Sequence, residues 1–109
     1  MASPSISVHI TLTIDPARVN DFLVALKPTF DAVKSDPLNT YFEVFQDPRT
    51  PGVFKLVENW NASPEYMMKV QTQKEVMKTY NRAIEPMVLK PHAVEVYSRM
   101  PNNQWVSVK

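Results

Sequence analysis

Three features of the sequence predict an α+β domain with the element order β-α-β-β-α-β. Residues 5–14 alternate strictly between polar and apolar, two central stretches carry the aromatic and β-branched content of paired strands, and two helical-period stripes each follow a cap-and-proline signature. With 109 residues, 44% hydrophobic and 21% charged, the chain has the size and composition of one compact domain. We place that domain at residues 5–99 and read 100–109 as a tail.

The first strand is the clearest element. Ile6, Val8, Ile10, Leu12 and Ile14 face one way, and Ser7, His9, Thr11 and Thr13 the other. Asp15-Pro16 then caps a helix, since proline at the first helical position lacks only an N–H that would be unpaired anyway. Val19, Phe22, Leu23, Leu26, Phe30 and Val33 form its apolar stripe to about Ser35. Pro28 interrupts this helix and predicts a bend there, or a helix in two parts.

Asp36-Pro37 breaks the chain before strands 39–46 and 53–60, which a turn at 47–52 joins into a hairpin. Ser63-Pro64 opens a second helical stretch, with Met67, Val70, Met77, Tyr80, Ile84 and Met87 as its stripe. The polar run Gln71-Thr72-Gln73-Lys74 predicts a jog that divides it. His92–Ser98 reads as a short fourth strand. The tail's Trp105, Val106 and Val108 are too apolar for a purely solvated end. This order is the ferredoxin-like arrangement, a four-stranded antiparallel sheet with both helices on one face. Strands two and three carry apolar residues on both sides: Phe42 and Val44 against Tyr41 and Phe45, then Val53 and Val57 against Phe54, Leu56 and Trp60. The uncovered face is therefore expected to pack on a second copy.

Composition excludes several chemistries. One Gly and ten Pro, against roughly eight and five at average usage, leave no glycine-rich turn for a dinucleotide, a P-loop or a nucleophile elbow. Without cysteine there is no thiolate chemistry and no Cys-ligated metal. A net charge of +1 with no basic cluster argues against nucleic acid. The opening residues do not resemble a signal peptide, and no apolar run approaches the roughly 18 residues of a membrane span, so a cytoplasmic protein without a membrane partner is expected.

The block Tyr41-Phe-Glu-Val-Phe-Gln-Asp-Pro48, a turn, and Phe54-Lys-Leu-Val-Glu-Asn-Trp60 resembles the Y-E-x-x-x-D-P…F-x-L-x-E-x-W signature of the antibiotic biosynthesis monooxygenase family, in the dimeric α+β barrel superfamily. Pro16–Phe22 and Pro91–Tyr97 fall where that family has its first helix and last strand. Val70-Gln-Thr-Gln-Lys and Glu85-Pro-Met resemble a fungal branch associated with secondary metabolism. The resemblance implies a homodimer, with an apolar pocket between sheet and helices in each subunit. It also implies O2-dependent oxidation of an aromatic polyketide-type substrate, anthrone or quinol-like, without cofactor. Val70 and Glu75 stand where many members carry histidine, and Tyr80 near where heme-degrading relatives place their iron ligand, so heme binding of that type is disfavoured.

The candidate catalytic residues are His9 and Glu58. His9 would be a pocket base, as in the olivetolic acid cyclase type of barrel, or else an interface or edge histidine sharing a polar row. Glu58, in an apolar pocket, would have a raised pKa and act as acid or base; the alternative is pairing with a Lys or Arg, which Glu43 and Glu95 invite more strongly. Trp60, Tyr66, Met77, Tyr80 and Asn81 are candidate substrate contacts, with core packing as the competing role for the Met and aromatic stripe. Arg82 and Arg99 could hold a substrate anion or form exposed ion pairs. His92 reads as an exposed residue at a strand start, and no metal-site spacing is present. Three functions are consistent with these residues: a cofactor-independent monooxygenase, a redox-neutral cyclase, dehydratase or isomerase, and a non-catalytic binding dimer.

Overall fold

The computed structural model describes residues 4–109. Strand β1 (Ile6–Ile14) leads through a 3-10 turn at Pro16–Arg18 into helix α1 (Val19–Lys34). Strands β2 (Asn39–Gln46) and β3 (Val53–Trp60) follow, then helix α2 (Pro64–Lys69), a 3-10 turn at Gln71–Gln73, helix α3 (Glu75–Ile84) and strand β4 (Val88–Ser98). The sheet is antiparallel with order β2-β3-β1-β4, the ferredoxin-like topology that the element order predicts.

The caps form as their chemistry requires. Asp15 accepts from the Ala17 N–H at 2.9 Å, and Ser63 Oγ from the Tyr66 N–H at 3.1 Å. Helix α1 does not divide at Pro28. The carbonyl deprived of its partner is that of Val24, a residue 75% exposed, so solvent satisfies it and the helix continues. The discontinuity lies instead at Arg18, where the backbone (φ −113°, ψ 15°) separates the 3-10 turn from the α-helix. The jog in the second helical stretch falls where the polar run predicts it, and Lys74 ties it to the α1–β2 loop through an ion pair with Asp36 at 3.0 Å.

The last strand is longer than the sequence suggests, starting at Val88 and running through Pro91. Register shifts in the β1–β4 pairing lie beside Pro91, and β4 is an edge strand; both relieve the need for the missing N–H. Gly52 is needed for space. A Cβ there would lie 2.2 Å from the Ile14 carbonyl oxygen, at the point where the Ile14 N–H donates to the Gly52 carbonyl at 2.7 Å.

The core lies between the sheet and the helices. Leu12, Ile14, Phe22, Leu26, Phe54, Leu56 and Ile84 are nearly inaccessible, each contributing roughly 1.5–3 kcal/mol by leaving water. Two stripe positions depart from expectation. Leu23 and Val70 are 41% and 42% exposed, while Thr29 and Gln71 are buried in their helical stretches. The opposite sheet face is uncovered and mixed in character: Ser7, His9, Thr11 and Thr13 lie in register with Asn59, Val57, Lys55 and Val53, flanked by Tyr41, Glu43, Phe45 and by Ala93, Glu95, Tyr97. The tail turns at Pro101–Asn103, with Asn102 and Asn103 at φ 62° and 52°, a left-handed conformation asparagine tolerates. Val106 and Val108 then border a hollow with Thr40, Tyr41 and Asn59, while Trp105 stays 74% exposed.

Candidate functional site

Strand register separates the two candidate catalytic residues. Glu58 pairs opposite Val8, so both point to the helix side; His9 pairs opposite Val57 and points to the uncovered side. The sheet stands between them, and the structure does not bring His9 and Glu58 into one site. His9 lies within 2.9 Å of Ser7 Oγ through its Nε2, and its ring is 5.1 Å from that of Tyr97.

Glu58 borders a cavity of about 370 Å³ between the sheet and the helices, toward the low end of the ~300–1,000 Å³ of small-molecule sites. Its floor is the aliphatic face of β1, from Ile6 to Leu12. Its walls come from Leu26 and Val33 of α1, Met67 of α2, Met77 and Tyr80 of α3, and Val94 and Val96 of β4. Methionine suits such a lining because its unbranched thioether adapts to a ligand's outline. The polar groups are few. Glu58 is 9% exposed, and its Oε1 accepts from the Trp60 indole N–H at 2.9 Å. No described residue bonds to its Oε2, and no Lys or Arg pairs with it. Burial pushes the Glu58 carboxyl above the usual carboxylate range, and the Trp60 N–H draws it partly back.

Thr29, Tyr80 and Gln71 are further buried polar residues of the lining, 4%, 6% and 5% exposed. The Tyr80 hydroxyl and Gln71 Oε1 have no hydrogen-bond partner. Burial, with a smaller contribution from charge on Glu58, raises Tyr80 far above an ordinary phenol, so it remains a hydrogen-bond donor across the working pH range. The cavity thus holds a desolvated carboxyl inside an apolar shell, with a phenol and an amide oxygen set just within its wall. That set can take a proton from a carbon acid and orient the oxygen of a flat ligand.

The other candidates divide. Met77 and Asn81 border the cavity, as does Tyr80. Trp60 does not: it is wholly enclosed among Ile6, Val8, Val33 and Ala62, so it has no free face for a ligand and acts by holding Glu58. Tyr66 packs beside that cluster and also stays out of the cavity wall. Glu43 and Glu95 find tyrosines rather than cations, accepting from Tyr41 and, at 2.8 Å, from Tyr97. Arg99 donates to Ser5 Oγ at 3.2 Å. Two cavity residues were not among the sequence candidates for the site. His92, read as an exposed residue at a strand start, is exposed but lies within β4 and borders the cavity; its place beside Val94 and Val96 was the available signal. Gln71 sits in the jog, and nothing local marks it as buried. Among the described residues no group of three or more His, Asp or Glu could hold a metal, and no helix is long and apolar enough to cross a membrane.

A provisionally named monooxygenase of Pestalotiopsis microspora is 56% identical over 106 residues, which span 97% of this chain and 88% of that protein. No family model matches the sequence. Among solved structures, an antibiotic biosynthesis monooxygenase, so named provisionally, from Nitrosomonas europaea superposes with a TM-score of 0.83 at 13% identity, covering 94% of this chain and 96% of its own. A similarly named protein from Caulobacter crescentus gives 0.81 at 21% identity, with 91% and 92% covered. At those identities the structures speak for the fold, while the Pestalotiopsis relative carries the kinship. The chain belongs to the same family as the Pestalotiopsis protein, and it has the fold of the structures named antibiotic biosynthesis monooxygenases.

Proposed function

We propose that the helix-side cavity is the substrate site of a cofactor-independent monooxygenase acting on an aromatic polyketide-type compound, anthrone or quinol-like, in secondary metabolism. The observation that carries this reading is Glu58, a buried carboxyl with one oxygen free, in an apolar cavity whose lining also holds Tyr80, its hydroxyl without a partner. An anthrone holds an acidic CH2 across the central ring from its carbonyl, conjugated with it through the flanking aryl rings. Ionised Glu58 removes a proton from it, and Tyr80 donates to the oxygen on which the enolate charge develops. The electron-rich enolate then reduces O2 itself: the CH2 becomes a carbonyl, and one oxygen atom leaves as water with both hydrogens. The protein's part is deprotonation, orientation and exclusion of bulk water.

The working unit is a homodimer in this proposal, with the uncovered faces packed together. Half-buried Tyr41 and Val57, together with Phe45 and Tyr97 at 43% and 49% exposure, support this. His9 belongs to that seam. Oxygen uptake by metal-free protein given an anthrone, with one O2 consumed per quinone formed, is the test. Unchanged turnover without O2 would replace this reading with a redox-neutral cyclase or isomerase built on the same base; tight binding without product would leave a non-catalytic binding dimer.

A further inference from the structure

We propose that the mouth of the cavity is an anion subsite, built by Arg82, Lys90 and His92, that selects ligands carrying a single carboxylate at the end of an aromatic body. The inference rests on the cavity being the ligand site and adds which ligands enter it and in which direction.

The cavity is open on the β4 side, where Val94 and Val96 of its wall remain 59% and 49% exposed. At that opening His92 and Asn81 belong to two spaces at once. They border the apolar cavity, and they border a second hollow of about 740 Å³ between the end of α3 and the start of β4, together with Arg82, Glu85, Lys90 and Pro91. Across these two residues the lining changes from almost wholly apolar to one that mixes Ile84, Val88 and Leu89 with the charged Arg82, Lys90 and Glu85.

Two further observations give the mouth a ligand to receive. The first lies inside: Tyr80 and Gln71 of the lining are more than nine-tenths buried and the Tyr80 hydroxyl and Gln71 Oε1 have no partner, so a small turn of either side chain toward the cavity would give a neutral aromatic core a donor and an acceptor. The second lies at the rim. The ion pairs among the described residues engage Arg18, Lys27, Lys34 and Lys74, whereas the side chains of Arg82, Lys90 and His92 make no ion pair or hydrogen bond with any described residue. Charge then sets direction. Glu58 in the interior, once ionised, repels an anion, while Arg82 and Lys90 outside attract one. A ligand with an apolar body and one carboxylate therefore enters body first. Glu85 shares the hollow and offsets one of the two permanent cations, which favours a monoanion over a phosphate dianion. Burial lowers the pKa of His92, leaving a neutral imidazole that adds a hydrogen bond rather than charge.

The test uses two fluorescent probes of the same shape, anthracene-2-carboxylate and anthracene-2-carboxamide, titrated into the intact protein at low and high salt. Wild-type protein is expected to prefer the carboxylate by about tenfold or more, the advantage shrinking as salt rises. In Arg82→Gln/Lys90→Gln, which changes two exposed side chains, the preference should fall toward unity while carboxamide affinity stays within about twofold. Equal binding of both probes by wild type, or a preference that survives in the double variant, would overturn the subsite and leave the cavity reading intact. If neither probe binds, or if both bind Met77→Trp, whose larger side chain fills the interior, as tightly as wild type, the cavity is not the site and both readings fail.

Discussion

The two faces of the sheet are made from the same strands, yet one buries a core around an acid and the other presents alternating hydroxyls, charges and aromatic rings to solvent. On the helix side β1 contributes five aliphatic residues, and β3 contributes Phe54, Leu56, Glu58 and Trp60. Glu58 is the exception in that row, and it occurs where the helices leave a cavity. On the uncovered side both acids and the histidine have a hydroxyl neighbour: Glu43 with Tyr41, Glu95 with Tyr97, His9 with Ser7. Polar groups there serve one another and water. The lone acid on the helix side has only an indole N–H, which leaves it available for chemistry.

The largest expected difference between the faces is catalytic. Glu58→Gln keeps the acceptor for Trp60 but removes the base, and should lower the rate of substrate-dependent O2 uptake by about 10²–10⁴-fold. His9→Ala should leave that rate within about threefold. An equal loss in both variants would move the chemistry to the uncovered face and break the assignment.

Stability should show the next difference. Leu12→Ala removes a side chain that is 1% exposed and should cost about 2–5 kcal/mol in urea unfolding. Thr11→Ala, its neighbour on the other face, should stay within about 0.5 kcal/mol in the monomer. A larger cost for Thr11→Ala that depends on protein concentration would instead show that a second copy covers that face.

Trp60→Phe retains most of the buried ring and removes the N–H that lowers the Glu58 pKa, so the acid limb of kcat/KM should move to higher pH. Loss of a hydrogen bond to a charged group should also destabilise by about 1.5–3 kcal/mol. The smallest effect concerns pH and stability. Because burial raises Glu58 above its unfolded value, its contribution is fully present below the ordinary carboxylate pKa and is lost as pH rises through the folded value. Glu58→Gln lacks that loss, so its melting temperature relative to wild type should climb between acid and neutral pH. A constant difference would show that Glu58 is not desolvated.

Much of the fold was legible because its signals are local. Alternation in β1, the two cap-proline pairs and the polar run at 71–74 each act on residues within a turn or two of one another. Pro28 and Pro91 read less well. Whether a missing N–H breaks an element depends on what the orphaned partner meets, and that was solvent at Val24 and an irregular edge at β4. The site was half legible. Glu58 shares parity with Phe54, Leu56 and Trp60, and His9 with serine and threonine, so the strands already divided them.

The sequence by itself determined that each strand has two unlike faces and where the chain turns, since period and proline are properties of neighbouring residues. Only the tertiary structure decided which face the helices cover, that Trp60 braces Glu58 instead of meeting a ligand, and that Gln71, Tyr80 and His92 border one cavity. Those residues come from separate elements, and burial and hydrogen bonding among them arise only when the helices dock, because desolvation depends on every group packed nearby and not on spacing along the chain.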